Sequence, residues 1–233
     1  VLIEKRRGCV GILLTVLLAA CGGSGGGSSF TPVSSTETFQ LRTAWVNYLT
    51  DSRSLPFTVS GTSAGIPMTG SGTLLQGGLS AGVFEGVSAI QKTSVTTGSI
   101  TSNGTTAALS TSMTEFVDSD YYPLGSSGYE YTVVNGTASI PQTAMVNDTG
   151  TLFTESRYQT SAKAALLGTN TMTYVVQADS ATTAFLKLIE VEKSAAGTTT
   201  GTTTITYRMT PSGGLTRLSE VYSDSTDTLT ITY

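Results

Sequence analysis

Apolar and polar positions change rhythm twice along this chain. An apolar run from Gly8 to Ala20 follows Lys5, Arg6 and Arg7. In SSTETFQLRTAWVNYLT, residues 34–50, Leu41, Trp45, Tyr48 and Leu49 then fall at the spacing of one helical face. Ser34 and Glu37 read as the capping box of that helix. Trp45 lies on the apolar stripe, where a Trp more often packs against a sheet than stacks on a ligand. From Leu55 onward the period drops to two. Met172, Tyr174, Val176 and Ala178 alternate with Thr171, Thr173, Val175 and Gln177; Thr203, Ile205, Tyr207 and Met209 alternate with Thr202, Thr204, Thr206 and Arg208. Threonine is β-branched and suits the outer face of a half-buried strand.

Turn signals divide these runs. Asn103-Gly104 and Asn135-Gly136 each predict a tight hairpin, and about ten to twelve strands follow in close succession. With no alternation of strands and helices, the chain is expected to be mainly β. The architecture is an antiparallel β-sandwich, or an open or closed β-barrel, with one N-terminal helix. Phe57–Leu74 and Tyr131–Leu152 share an aromatic-Thr-Val start, Gly-Thr, Ile-Pro and Gly-Thr-Leu. They raise a division of the β region, residues 51–233, into similar halves 51–126 and 127–233, against the alternative of chance matches in a Thr- and Gly-rich chain.

The N-terminal run is too short to span a membrane, which takes about 20 apolar residues. Its basic start, apolar middle and small-residue end describe a signal peptide over residues 1–20. Leu18-Ala19-Ala20-Cys21 resembles the lipobox of bacterial lipoproteins. The resemblance implies cleavage before Cys21 and fatty acylation of that residue, palmitate included. Gly22, where retained lipoproteins carry Asp, then points to the outer membrane of a Gram-negative cell. Residues 21–33, the acylated cysteine and a Gly/Ser tether, have the composition of a flexible coil reaching about 20 Å. Several acyl chains make a lasting anchor. The part after the tether resembles the Thr- and Gly-rich envelope lipoproteins of Gram-negative bacteria in composition and pattern only.

Composition narrows the chemistry. The 233 residues include no histidine and two cysteines, Cys9 and Cys21, and only 12% are charged. Without imidazole there is no His-dependent triad, general base or metal site. With Cys21 acylated there is no thiol nucleophile or disulfide. Loss of the signal leaves 9 basic and 15 acidic side chains, a balance of −6, with no basic cluster for nucleic acid.

The carboxylate candidates are Asp118 with Asp120, Glu190 with Glu192, and Asp224 with Asp227. Asp118 and Asp120 read better as a turn than as a calcium loop, and Asp224 and Asp227 read as another turn. Glu190 and Glu192 share one face, flanked by Lys187 and Lys193, as at a solvated strand edge. Tyr121, Tyr122, Tyr129 and Tyr131 offer rings to a sugar or an apolar pocket, or simply cover core. No catalytic, cofactor or metal site is assigned. The expected function is a non-enzymatic, membrane-anchored binding or structural domain facing an envelope protein, glycan or lipid. The alternative is a carrier of lipid or another hydrophobic ligand in a curved sheet, architecturally similar to Lol-type lipoproteins.

Overall fold

The computed structural model describes residues 35–233; the lipobox, Cys21 and the Gly/Ser tether lie outside them. Among the described residues a helix, α1 (Leu41–Thr50), precedes twelve strands. They are β1 (Arg53–Ser63), β2 (Ile66–Phe84), β3 (Val87–Ser102), β4 (Thr105–Val117), β5 (Pro123–Ser127) and β6 (Tyr131–Val134), followed by β7 (Thr149–Tyr158), β8 (Leu166–Ala178), β9 (Ala184–Ser194), β10 (Thr199–Met209), β11 (Leu215–Ser223) and β12 (Asp227–Thr232). Each strand pairs antiparallel with the next, and β12 returns to β1, so the sheet closes into an up-and-down barrel. The closed barrel is thus realised among the expected β architectures, and all strands share one sheet. The anticipated division at 126/127 falls inside β5.

The alternation read in β8 and β10 is the inside-outside alternation of the wall. Tyr174, Val176, Tyr207 and Met209 are buried toward the interior with Leu186 and Leu188 of β9, while the intervening threonines face outward. Eight strands make a barrel that wall side chains alone can fill. Twelve make a wider one, and α1 fills one end of it. Leu41, Ala44 and Leu49 are buried, and Leu41 and Ala44 join the main apolar cluster. Trp45 packs edge-on against Phe153 at 6.5 Å and donates from Nε1 to the Tyr121 carbonyl at 2.8 Å.

The helix starts at Leu41, later than the capping box places it, and Ser34 lies outside the described residues. The rim of the barrel supplies the cap instead. Phe39 exchanges backbone hydrogen bonds with Ala144, Gln40 N–H donates to the Pro211 carbonyl, and Arg42 N–H donates to that of Gln142. Ser35 Oγ donates to the Ala181 carbonyl, and Asn47 Nδ2 to that of Gly213. Residues 35–50 therefore touch the β4–β5, β6–β7, β8–β9 and β10–β11 connections, all at the same end of the barrel.

Asn103-Gly104 closes the β3–β4 hairpin with φ of 49° and 74°, the left-handed pair a two-residue turn requires. Ala64-Gly65 and Glu85-Gly86 do the same at φ of 49° and 78°, and 50° and 79°. Asn135-Gly136 closes no hairpin; it opens the long 135–148 connection, which crosses the helix-bearing rim to meet Phe39. The two similar segments differ accordingly. Phe57 faces the interior beside Leu74, whereas Tyr131 faces out and stacks on Phe84 at 5.4 Å.

β5 and β6 are short, so β4 pairs with β5 only over Thr114–Val117, and residues 105–113 pair with β3 alone. The tip of the β2–β3 hairpin covers the short β5 and β6 and the end of β4 from outside. A register shift at Gln76/Leu79, where Gly77 and Gly78 sit, bends the hairpin. Phe84 then stacks on Phe116 at 4.7 Å, and Glu85 accepts from Tyr131 Oη at 2.6 Å and pairs with Lys163.

Candidate functional site

The interior has two chemistries. Under α1 it is apolar and tightly filled: the space bounded by Leu41, Trp45, Ile140, Leu186, Tyr207 and Leu215 has a volume of about 10 Å³, barely one water. Away from α1 the same wall face turns polar. On β9 the inward phase runs Ala184, Leu186, Leu188, Glu190, Glu192, and on β8 it runs Val176, Tyr174, Met172, Asn170. Asn170 stands between Glu155 of β7 and Glu192 of β9, with Glu190 next along the same face.

A buried lysine separates the two regions. Lys92 is 1% exposed, and its Nζ donates to the carbonyls of Tyr48 at 2.5 Å and Asp51 at 2.9 Å, the unsatisfied C-terminal end of α1. The ammonium also lies 4.7 Å from the Tyr48 ring centre. Burial pulls its pKa below the ordinary lysine value, against the Glu115 carboxylate beside it, which holds it up. Tyr48 Oη donates to both Glu115 oxygens at 3.1 and 3.2 Å, and burial raises the pKa of that carboxyl.

Beyond this layer two largely buried guanidiniums remain: Arg217, paired with Glu220 at 2.5 Å, and Arg157. The Nε and Nη2 of Arg157 donate to Glu130 at 2.7 and 2.9 Å, and its Nη1 pairs with Glu192 at 2.5 Å. Glu155 accepts from Asn170 Nδ2 at 3.0 Å, and burial raises its pKa. Glu190 is pushed up to about 7, first by desolvation and then by the charges of Glu155 and Glu192. Yet Glu190 is only half-buried, and the Glu192 and Glu220 side chains keep 32% and 25% exposure. These carboxylates are walled by protein on most sides and open to water at the end away from α1.

The structure sorts the sequence candidates differently. Glu190 and Glu192 do share a face, but β9 is paired on both sides, so they line the lumen and not a solvated edge. Asp118 Oδ1 accepts from the N–H groups of Asp120 and Tyr122 at 2.9 Å each, and Asp224 Oδ1 from those of Thr226 and Asp227 at 2.7 Å each; both form turns. Among the described residues no three acidic side chains converge as metal ligands. Tyr121 lends its carbonyl to Trp45, Tyr122 stacks under the Arg42 guanidinium at 4.1 Å, and Tyr129 is 76% exposed on a turn. Cys21 lies outside the described residues.

Sequence reading missed Lys92, Glu115, Glu155, Arg157 and Asn170 as members of one site. The available signal was phase: Asn170 and Glu190 occupy the alternation slots of Tyr174 and Leu188, where a half-buried strand carries apolar residues. Compared with known protein families, curated proteins and solved structures, the chain shows no significant match to any.

Proposed function

We propose that this protein is an envelope lipoprotein, anchored by acyl chains on Cys21, whose barrel is a non-enzymatic binding domain. A β-barrel of this kind suits binding and carriage alike. The observation that favours binding is the filled apolar end: with about 10 Å³ under α1 there is no chamber for an acyl chain. What remains accessible is the acidic lumen and the outer rim.

Residues 35–50 meet the barrel only at the α1 end, so a tether running from Cys21 to residue 35 holds that end toward the membrane and presents the acidic end away from it. The outward Thr202, Thr204, Thr206, Thr228, Thr230 and Thr232 form a hydroxyl surface suited to water. A barrel embedded in lipid presents an apolar band instead.

The test is metabolic labelling of expressing cells with an alkyne fatty acid, followed by membrane fractionation. The wild-type chain is expected to carry the label and sediment with membranes, and Cys21→Ser to lose both. Unlabelled wild-type protein in the soluble fraction would overturn the anchor.

A further inference from the structure

One buried acceptor in the lumen has nothing to accept from. Asn170 is 7% exposed, and its Nδ2 donates to Glu155 Oε1 at 3.0 Å. That bond fixes the amide, because the flipped orientation would set oxygen against a carboxylate. Oδ1 is left buried and without a hydrogen-bond partner. On the inward faces of β7, β8 and β9 around it, Glu155, Glu190 and Glu192 outnumber the one cation, Arg157. The buried unpartnered donors Nε of Arg53 and Nε of Arg217 lie away from it on β1 and β11. Arg157, the nearby cation, is already engaged by Glu130 and Glu192. Among the described residues no hydrogen bond or ion pair reaches the Glu190 carboxylate, which feels only the charges about it. A buried acceptor left unmade is costly, and beside it the half-exposed Glu190 carboxylate faces the lumen without a partner among those residues.

We infer that the lumen binds a small organic cation through its N–H donors, a primary ammonium or guanidinium group received by Asn170 Oδ1, Glu155 and Glu190. This rests on the binding-domain reading and gives it a ligand class. A bare metal ion fits poorly, because among the described residues no three carboxylates come within reach of one ion. The acceptors sit instead on three neighbouring strands, β7, β8 and β9, spaced about 4.8 Å apart. Donors on a guanidinium fork, or on two heads joined by a methylene chain, match that spread. Met172 and Ile205 on the same inward face offer apolar surface to the chain. The half-exposed Glu190 and Glu192 mark the way in.

Isothermal titration of the purified full-length chain with agmatine, which carries a guanidinium and an ammonium, tests this. Calcium and tetramethylammonium serve as cations without N–H donors. Agmatine is expected to bind at one site, the two controls not, and Glu190→Gln and Glu155→Gln each to weaken agmatine at least tenfold. Glu190 faces Glu155 and Arg157 from β7, Glu192 on its own strand and Glu220 from β11; a bound cation offsets the three carboxylates. At pH 7 about half of the Glu190 carboxyls carry a proton, so binding should release up to about half a proton from this group, read as an enthalpy that varies with the buffer, and Glu190→Gln should reduce the release. Absence of agmatine binding at millimolar concentration, equal binding of tetramethylammonium, or unchanged affinity in both variants would overturn the inference. Each of these outcomes leaves the fatty-acid labelling result standing, and an unlabelled chain that binds agmatine would refute the anchor alone.

Discussion

Lys92 shows how a single side chain holds helix and barrel together. Its two carbonyl acceptors belong to the last turn of α1 and the residue after it, and the carboxylate of Glu115 lies near. Lys92→Met keeps the volume and removes every donor. It should cost about 2–4 kcal/mol, since two carbonyls and one buried acid lose their partner together, a loss measurable by urea denaturation. Glu190 works in the opposite direction. Its carboxyl titrates near 7 when folded, against an ordinary value of 4.5. Below the ordinary value both states are protonated and the residue is neutral to stability. As pH rises toward 7 the unfolded chain ionises first, so the folded state is progressively penalised. Glu190→Gln should therefore leave stability at pH 4 unchanged and raise it by about 1–2 kcal/mol at pH 8, allowing for partial hydration. Thermal melts at the two pH values check this. Neither role is legible from residue type. Lys92 stands in a Ser- and Thr-rich run, and only the closed sheet turns it inward.

At the scale of elements, local chemistry carried part of the result. Period-two patterning found β8 and β10 because their inner faces are apolar and their outer faces Thr-rich. Asn103-Gly104 was legible as a hairpin because both residues accept a left-handed backbone. Asn135-Gly136 carries the same signal, yet the chain leaves the sheet there to meet Phe39, a long-range contact no dipeptide encodes. The start of α1 was misplaced because its first N–H groups are met by the rim and not by neighbouring side chains. Gly125 is a point of close approach for both β6 and the β2–β3 tip: an added Cβ would lie 2.1 Å from the Thr132 carbonyl oxygen and 2.5 Å from Phe84 Cζ. Gly125→Val should force β5 from β6 as well as lift Phe84 from Phe116 and Tyr131, and cost more than about 3 kcal/mol. Increased protease cleavage near Glu85-Gly86, beyond that of the parent, is the accompanying sign.

At the scale of the molecule, closure decides what the charged residues mean. Glu190 and Glu192 resemble edge residues when β9 is read alone, and become lumen residues once β8 and β10 flank it. That information resides in pairings between distant parts of the chain, so fold class was readable in the sequence and the candidate site was not. The proposed anchor is the reverse case: the lipobox resemblance is a linear motif, read from the residues Lys5 to Cys21 without any fold.

The attachment of residues 35–40 to the rim also sets how the protein responds to mechanical load. Tension arriving through residue 35 meets the Ser35–Ala181 bond, the Phe39–Ala144 pair and the Gln40–Pro211 bond. Drawn outward from the rim, these separate bonds are expected to give way one after another, before the load reaches β1 and the ladders of the wall. The cap is thus expected to yield first, uncovering Leu186, Leu188 and Tyr207 while the cylinder itself stays shut.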